Sequence, residues 1–162
     1  MGAAAWRPLY PLLPLVVWGV LPFLVHRWGA GLPPLPVGPG RWVGLPLLLG
    51  GFGLAIASTI LFARRGEGTP VPWDPPRRFV VTGPYRYVRN PMVLGVLLGL
   101  LGEALLFASL PILLYTAALA AFAHAWIVLR EEPELEARFG ETYRVYRAMV
   151  PRWLPRGSSR RP

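Results

Sequence analysis

Two adjacent carboxylates, Glu131 and Glu132, follow the last long apolar run of the chain, and His124 stands seven residues before Glu131, close to the same helix face. Before the preceding apolar run lies "GPYRYVRNPM", Gly83–Met92, in which two arginines and two tyrosines crowd against one of the longest apolar runs of the chain. The carboxylates need compensation from an arginine, from water or from a cationic ligand. A histidine or carboxylate within reach can also move a proton. Each group has a plainer reading as well. Carboxylates at a helix C-terminus oppose the helix dipole and call for a counter-charge, which Arg86, Arg89 or Arg130 would supply. A lone histidine in an apolar helix commonly bonds a neighbouring helix. Glu103 is set apart from the others by depth, about 12 residues and about 18 Å into its own run, where packing against a polar partner is the expected role.

The elements that must hold these residues are apolar helices. The chain of 162 residues is 54% hydrophobic, too apolar for a soluble domain that also carries a net charge of +9. A first span is expected over residues 9–27, interrupted by prolines and read as uncleaved because the segment before it holds only Arg7. A second covers residues 42–63, uncharged and bounded by Arg41 and by Arg64 with Arg65. The run from Met92 to Leu129 is too long for one crossing, since a bilayer core needs about 20 helical residues. Ser109, Leu110 and Pro111 break it into a hairpin of two spans, 92–109 and 112–129.

All seventeen basic residues are arginine. With both termini cytoplasmic, fifteen of them lie inside and only Arg27 and Arg41 outside, a bias that favours this orientation and accounts for the positive charge without nucleic acid. No cysteine is present, and His26 and His124 are the only histidines, so disulfides, thiolate chemistry and a multi-histidine metal site are not expected. Between the second and third spans a Pro-rich segment reads as an ordered cytoplasmic loop. After the fourth, Leu135, Phe139, Tyr143, Tyr146 and Val150 form one apolar stripe on a basic helix over about 133–149, lying in the interface or capping the bundle. Residues 156–162 read as a disordered tail.

Two stretches, "GTPVPWDPPRRFVVTGPYRYVRNPMVLG" and "REEPELEARFGETYRVYRAMVPRWLP", separated by the hairpin, resemble the membrane methyltransferases that include isoprenylcysteine carboxyl methyltransferases and phospholipid methyltransferases. The resemblance runs roughly from Gly68 to Pro155. It implies S-adenosylmethionine as cofactor, held on the cytoplasmic side by Arg77, Arg78, Phe79, Val80, Tyr85, Arg89, Asn90, Pro91, Met92, Val93, Glu131 and Glu132. Two positions depart from the family's Arg-His-Pro-x-Tyr pattern, Asn90 in place of His and Val93 in place of Tyr. An arginine that contacts substrate in isoprenylcysteine enzymes falls at Ile127, which argues against a prenylcysteine carboxylate.

The expected protein is therefore all-α and integral to the cytoplasmic membrane, a single domain of four spans that methylates a lipophilic acceptor drawn from the bilayer. His124 and Glu132 are the candidates for a base where the acceptor is an amine or hydroxyl, and Arg130 is the candidate substrate contact. Methyl transfer needs alignment and exclusion of water rather than a covalent nucleophile or a metal. Two other readings are a non-catalytic scaffold that keeps the fold and a transporter in which Glu103 and His124 mark a pathway.

Overall fold

The computed structural model describes residues 15–65 and 81–155, and every regular element among them is helical. A π turn, Val16–Val20, leads into α1, Leu21–Trp28, and a 3-10 turn, Gly38–Val43, leads into α2, Gly44–Arg65. A second 3-10 turn, Gly83–Arg86, precedes α3, Pro91–Leu106; α4, Leu110–Trp126, passes through a π turn, Ile127–Glu131, into α5, Glu132–Met149. Two of these helical runs are long and apolar enough to cross a membrane, Gly38–Arg64 and Leu110–Phe139. Val16–Trp28 and Pro91–Leu106 are apolar but shorter. The first expected span begins outside the described residues, as do the tail 156–162 and most of the Pro-rich loop. By their contacts the residues group into two compact units: the chain up to Gly53 with Gly95–Ala121, and Leu54–Leu94 with the chain from Phe122 onward.

In the second unit the helix does not end at Leu129, where its apolar part stops. Pro133 has no N–H to donate and its ring would strike the carbonyl four residues back. The helix widens there instead of stopping: the Glu132 N–H donates to Ile127 O, a five-residue π spacing. Glu131 and Glu132 consequently lie within a continuing helix, and Glu132 and Glu134 occupy the first turn of α5. The expected conflict with a helix C-terminus does not arise.

The single helix expected over 133–149 is bent. Gly140 takes φ 53° and ψ −125°, outside the helical region and in the left-handed range open to glycine. One limb carries Leu135 and Phe139, the other Tyr143 and Tyr146. Tyr143, Tyr146 and Val150 are buried together with Leu135 and Phe139 packed against them. The apolar stripe thus turns onto the protein's own interior.

The first unit is held by close backbone contact. A Cβ built on Gly102 would lie 2.5 Å from Leu48 N and 2.6 Å from Gly44 O, and one on Gly51 would lie 2.6 Å from Gly95 O. Only glycine lets α2 and α3 approach so closely, the packing mode by which apolar helices associate without a hydrophobic driving force between them. The Trp18 indole N–H donates to Val96 O at 3.1 Å, and its ring centroid lies 4.8 Å from that of Phe52. The break expected at Ser109–Pro111 is a Schellman turn. Ser109 N–H reaches Ala104 O at 2.8 Å and Ala108 N–H reaches Leu105 O at 3.0 Å, with Ala108 itself at φ 47°. Ser109 Oγ then accepts from Ile112 N–H at 3.3 Å to cap α4, and meets His26 Nδ1 at 2.8 Å. Buried Glu103 belongs to this unit.

Gly51→Val is expected to lower stability by about 2 kcal/mol through overpacking against backbone that has nowhere to move. Gly50→Ala meets nothing within 4 Å and is expected to be neutral or stabilising by up to about 1 kcal/mol. Thermal unfolding of the two variants in detergent checks the contrast.

Candidate functional site

The corner before α3 is built around Tyr85. Gly83, at φ 60°, turns the chain, and a Cβ there would come within 2.7 Å of Leu61. The turn buries Tyr85 near Phe62, with ring centroids 6.2 Å apart. Asn90 O accepts the first bond of α3, from Leu94 N–H at 3.0 Å, and Pro91 takes the first helical position, where a missing N–H costs nothing. The Asn90 side chain is buried, and its Nδ2 donor has no hydrogen-bond partner.

The centre of the site is one carboxylate between two guanidiniums. Arg152 grips Glu132 in a fork, Nε to Oε1 at 2.8 Å and Nη2 to Oε2 at 2.9 Å. Arg89 Nη1 lies 2.9 Å from Oε1, as an ion pair not aligned as a hydrogen bond, and Arg89 Nε is also buried without a hydrogen bond. Glu132 is only 6% exposed. Burial pushes its carboxyl pKa up, but the Arg152 hydrogen bond and the charges of Arg89, Arg152 and Arg147 outweigh it and hold the pKa below the usual carboxylate range.

Glu131 has the opposite setting. It is half-buried, and among the described residues no ion pair joins it to an arginine. Burial raises its pKa, and the negative neighbours Glu132 and Glu134 raise it further. Tyr85 feels the same charge: burial and then Glu131 push its hydroxyl well above the ordinary value.

The segment after α5 ties these parts together. Arg89 N–H donates to Pro151 O at 2.9 Å, and the Tyr146 hydroxyl donates to Tyr85 O at 2.7 Å. Across the bend at Gly140, Arg147 Nη1 reaches Glu136 Oε2 at 3.0 Å. A cavity of about 590 Å³ opens here, lined by Arg89, Glu132, Glu136, Arg147 and Arg152 with Val128 on its apolar side.

Tyr85, Arg89, Asn90, Pro91, Glu131 and Glu132 all fall in this unit, with half-buried Met92 and Val93 on the first turn of α3. Arg77, Arg78, Phe79 and Val80 lie outside the described residues. Of the three arginines named as counter-charges for the carboxylates, Arg89 pairs with Glu132, while Arg86 and Arg130 are exposed. His124 is exposed, and its Nδ1 accepts from the Trp153 indole N–H at 3.1 Å. Arg152 and Arg147 are the residues that sequence reasoning missed. They stand far along the chain from the carboxylates they meet, and only the bend at Gly140 and the return after Val150 bring them there.

Helical runs long and apolar enough to cross a membrane, with a buried carboxylate held between two arginines, describe a membrane protein. The phospholipid methyltransferase family matches residues 40–142, well over half of the chain, and the protein belongs to that family. No curated protein and no solved structure matches it.

Glu132→Gln is expected to cost about 3 kcal/mol, because it leaves two guanidiniums without their counter-charge. The pH dependence follows from the lowered pKa. The contribution of Glu132 is fully present above its unfolded pKa, about 4.3, and is lost as pH falls through the lower folded value. Thermal melts of wild type and variant should differ most above that pH and converge in stronger acid.

Proposed function

We propose that the protein is an S-adenosylmethionine-dependent methyltransferase of lipophilic acceptors in the cytoplasmic membrane. The observation that carries this reading is the family match over residues 40–142, which spans the corner, the hairpin and both adjacent carboxylates. The donor set fits the cofactor. Buried Asn90 Nδ2 and Arg89 Nε are donors without partners, suited to a carboxylate, and a half-buried Glu131 beside further negative charge suits a cation. Tyr85 and, from the resemblance, Arg77, Arg78, Phe79 and Val80 would complete the binding surface with Pro91, Met92 and Val93.

When bound, S-adenosylmethionine supplies a methyl group already activated on a sulfonium. The chain's own residues have to hold, orient and dry the site. Glu131 offers the negative charge for the cation, and the buried Tyr85, Tyr143 and Tyr146 exclude water around it. For an amine or hydroxyl acceptor Glu131 is the better proton acceptor, because its raised pKa brings it nearer neutrality while Glu132 is engaged by Arg89 and Arg152. His124 Nδ1 accepts from the Trp153 indole N–H, which engages that lone pair and makes His124 the weaker candidate for the base. Exposed Arg130 stands at the end of the apolar part of the helix, a position from which it would meet an anionic headgroup.

The topology proposed with this activity has four spans and both termini in the cytoplasm, supported by the fifteen arginines that this orientation places inside. The acceptor then enters from lipid. A second reading, a non-catalytic scaffold of the same family, is favoured by Asn90 and Val93 standing where the family carries His and Tyr.

Calorimetric titration of detergent-purified protein with S-adenosylmethionine and S-adenosylhomocysteine separates the two. Micromolar binding that weakens at least tenfold in Glu131→Gln is the expected result. A folded wild type that binds neither compound favours the scaffold.

A further inference from the structure

The two adjacent carboxylates look equivalent in sequence and are not equivalent in the fold. A carboxylate has about four acceptor positions. Three contacts already engage Glu132: two from the Arg152 fork and one from Arg89, at 2.8 to 2.9 Å, and its side chain is 8% exposed. A cationic ligand would have to displace a bidentate guanidinium to reach it, and such forks are among the stronger polar contacts in proteins. The same carboxylate joins three stretches of chain, the corner through Arg89, the helix through its own backbone and the returning segment through Arg152. Parallel ties run beside it, from Arg89 N–H to Pro151 O and from the Trp153 indole to His124.

Resting on the cofactor reading above, we infer that Glu132 is a positioning residue, which together with Arg152 fastens the Val150–Trp153 segment to the Arg89–Asn90 corner, while Glu131 alone meets the cationic ligand. The charges support this division. The triad of Arg89, Glu132 and Arg152 is net positive, so it would not itself attract a cation, and among the described residues Glu131 has no guanidinium to neutralise it. The triad also fixes where the Arg89 and Asn90 donors point, because Arg89 is held from both its backbone and its side chain.

The test is a double-mutant cycle on Glu132→Gln and Arg152→Ala, with Glu131→Gln alongside. S-adenosylhomocysteine and S-adenosylmethionine are titrated into each detergent-purified protein well below its unfolding temperature. Expected are Kd increases of about tenfold for Glu132→Gln and for Arg152→Ala, with the double variant no weaker than either single one. Arg152→Lys should recover part of the loss, since an ammonium keeps the charge but not the fork. Glu131→Gln should weaken S-adenosylmethionine at least as much with little change in unfolding temperature.

If Glu132→Gln loses affinity while Arg152→Ala binds like wild type, Glu132 touches the ligand itself and the inference is wrong. It is equally overturned if both clamp variants bind like wild type, which would make the triad purely structural. A wild type that binds neither compound sinks the cofactor reading, and this inference falls with it; binding by wild type with an unaffected clamp sinks the inference alone.

Discussion

A single buried carboxylate organises the second unit. Glu132 lies in the first turn of α5 with almost no access to water, and a lone charge there would be costly enough to change its protonation. Two guanidiniums remove that cost, Arg89 from the corner before α3 and Arg152 from the segment that returns after α5. Because each arginine comes from a different part of the chain, satisfying the charge also fixes the tertiary arrangement. The corner, the π-widened helix and the returning segment are placed by one electrostatic requirement, and the tyrosine cluster of Tyr143 and Tyr146 packs around it.

Local backbone features make that arrangement possible. Pro133 forces the helix to widen, and Gly140 bends α5 so that Arg147 can reach Glu136 and the chain can come back toward Glu132. Without the bend, an α5 running straight to Met149 would carry Arg152 away from the carboxylate at 1.5 Å per residue. The first unit relies on a different device: glycines on α2 and α3 bring backbones into direct contact. One unit is thus specified by shape and the other mainly by charge.

Much of this was legible in the sequence, and the missing parts share a cause. The apolar runs announced helices because burial and membrane insertion act on composition over many residues, and Ser109 with Pro111 marked the hairpin turn by local chemistry. The corner at Gly83–Met92 stood out through its turn residues and its charge, and Tyr85, Arg89, Asn90 and both glutamates did assemble in one unit. Gly140 was harder to read, since an isolated glycine in a helical pattern is compatible with a straight helix as well as with a bend. Every long-range partner downstream of it was hidden for that reason. Arg152 for Glu132 and Trp153 for His124 are pairings that no spacing rule reaches, because the bend decides them. The distinction between Glu131 and Glu132 was invisible at the level of two identical letters and depends wholly on which of them faces the arginines.

The most direct measurement is of transfer itself. Purified protein in lipid nanodiscs, incubated with methyl-tritiated S-adenosylmethionine and a membrane lipid extract, is partitioned between organic and aqueous phases and counted. Tritium in the organic phase, above a boiled control and sharply reduced in Glu131→Gln, is the expected result. An unlabelled organic phase from folded protein that binds the cofactor would contradict methylation of a lipophilic acceptor.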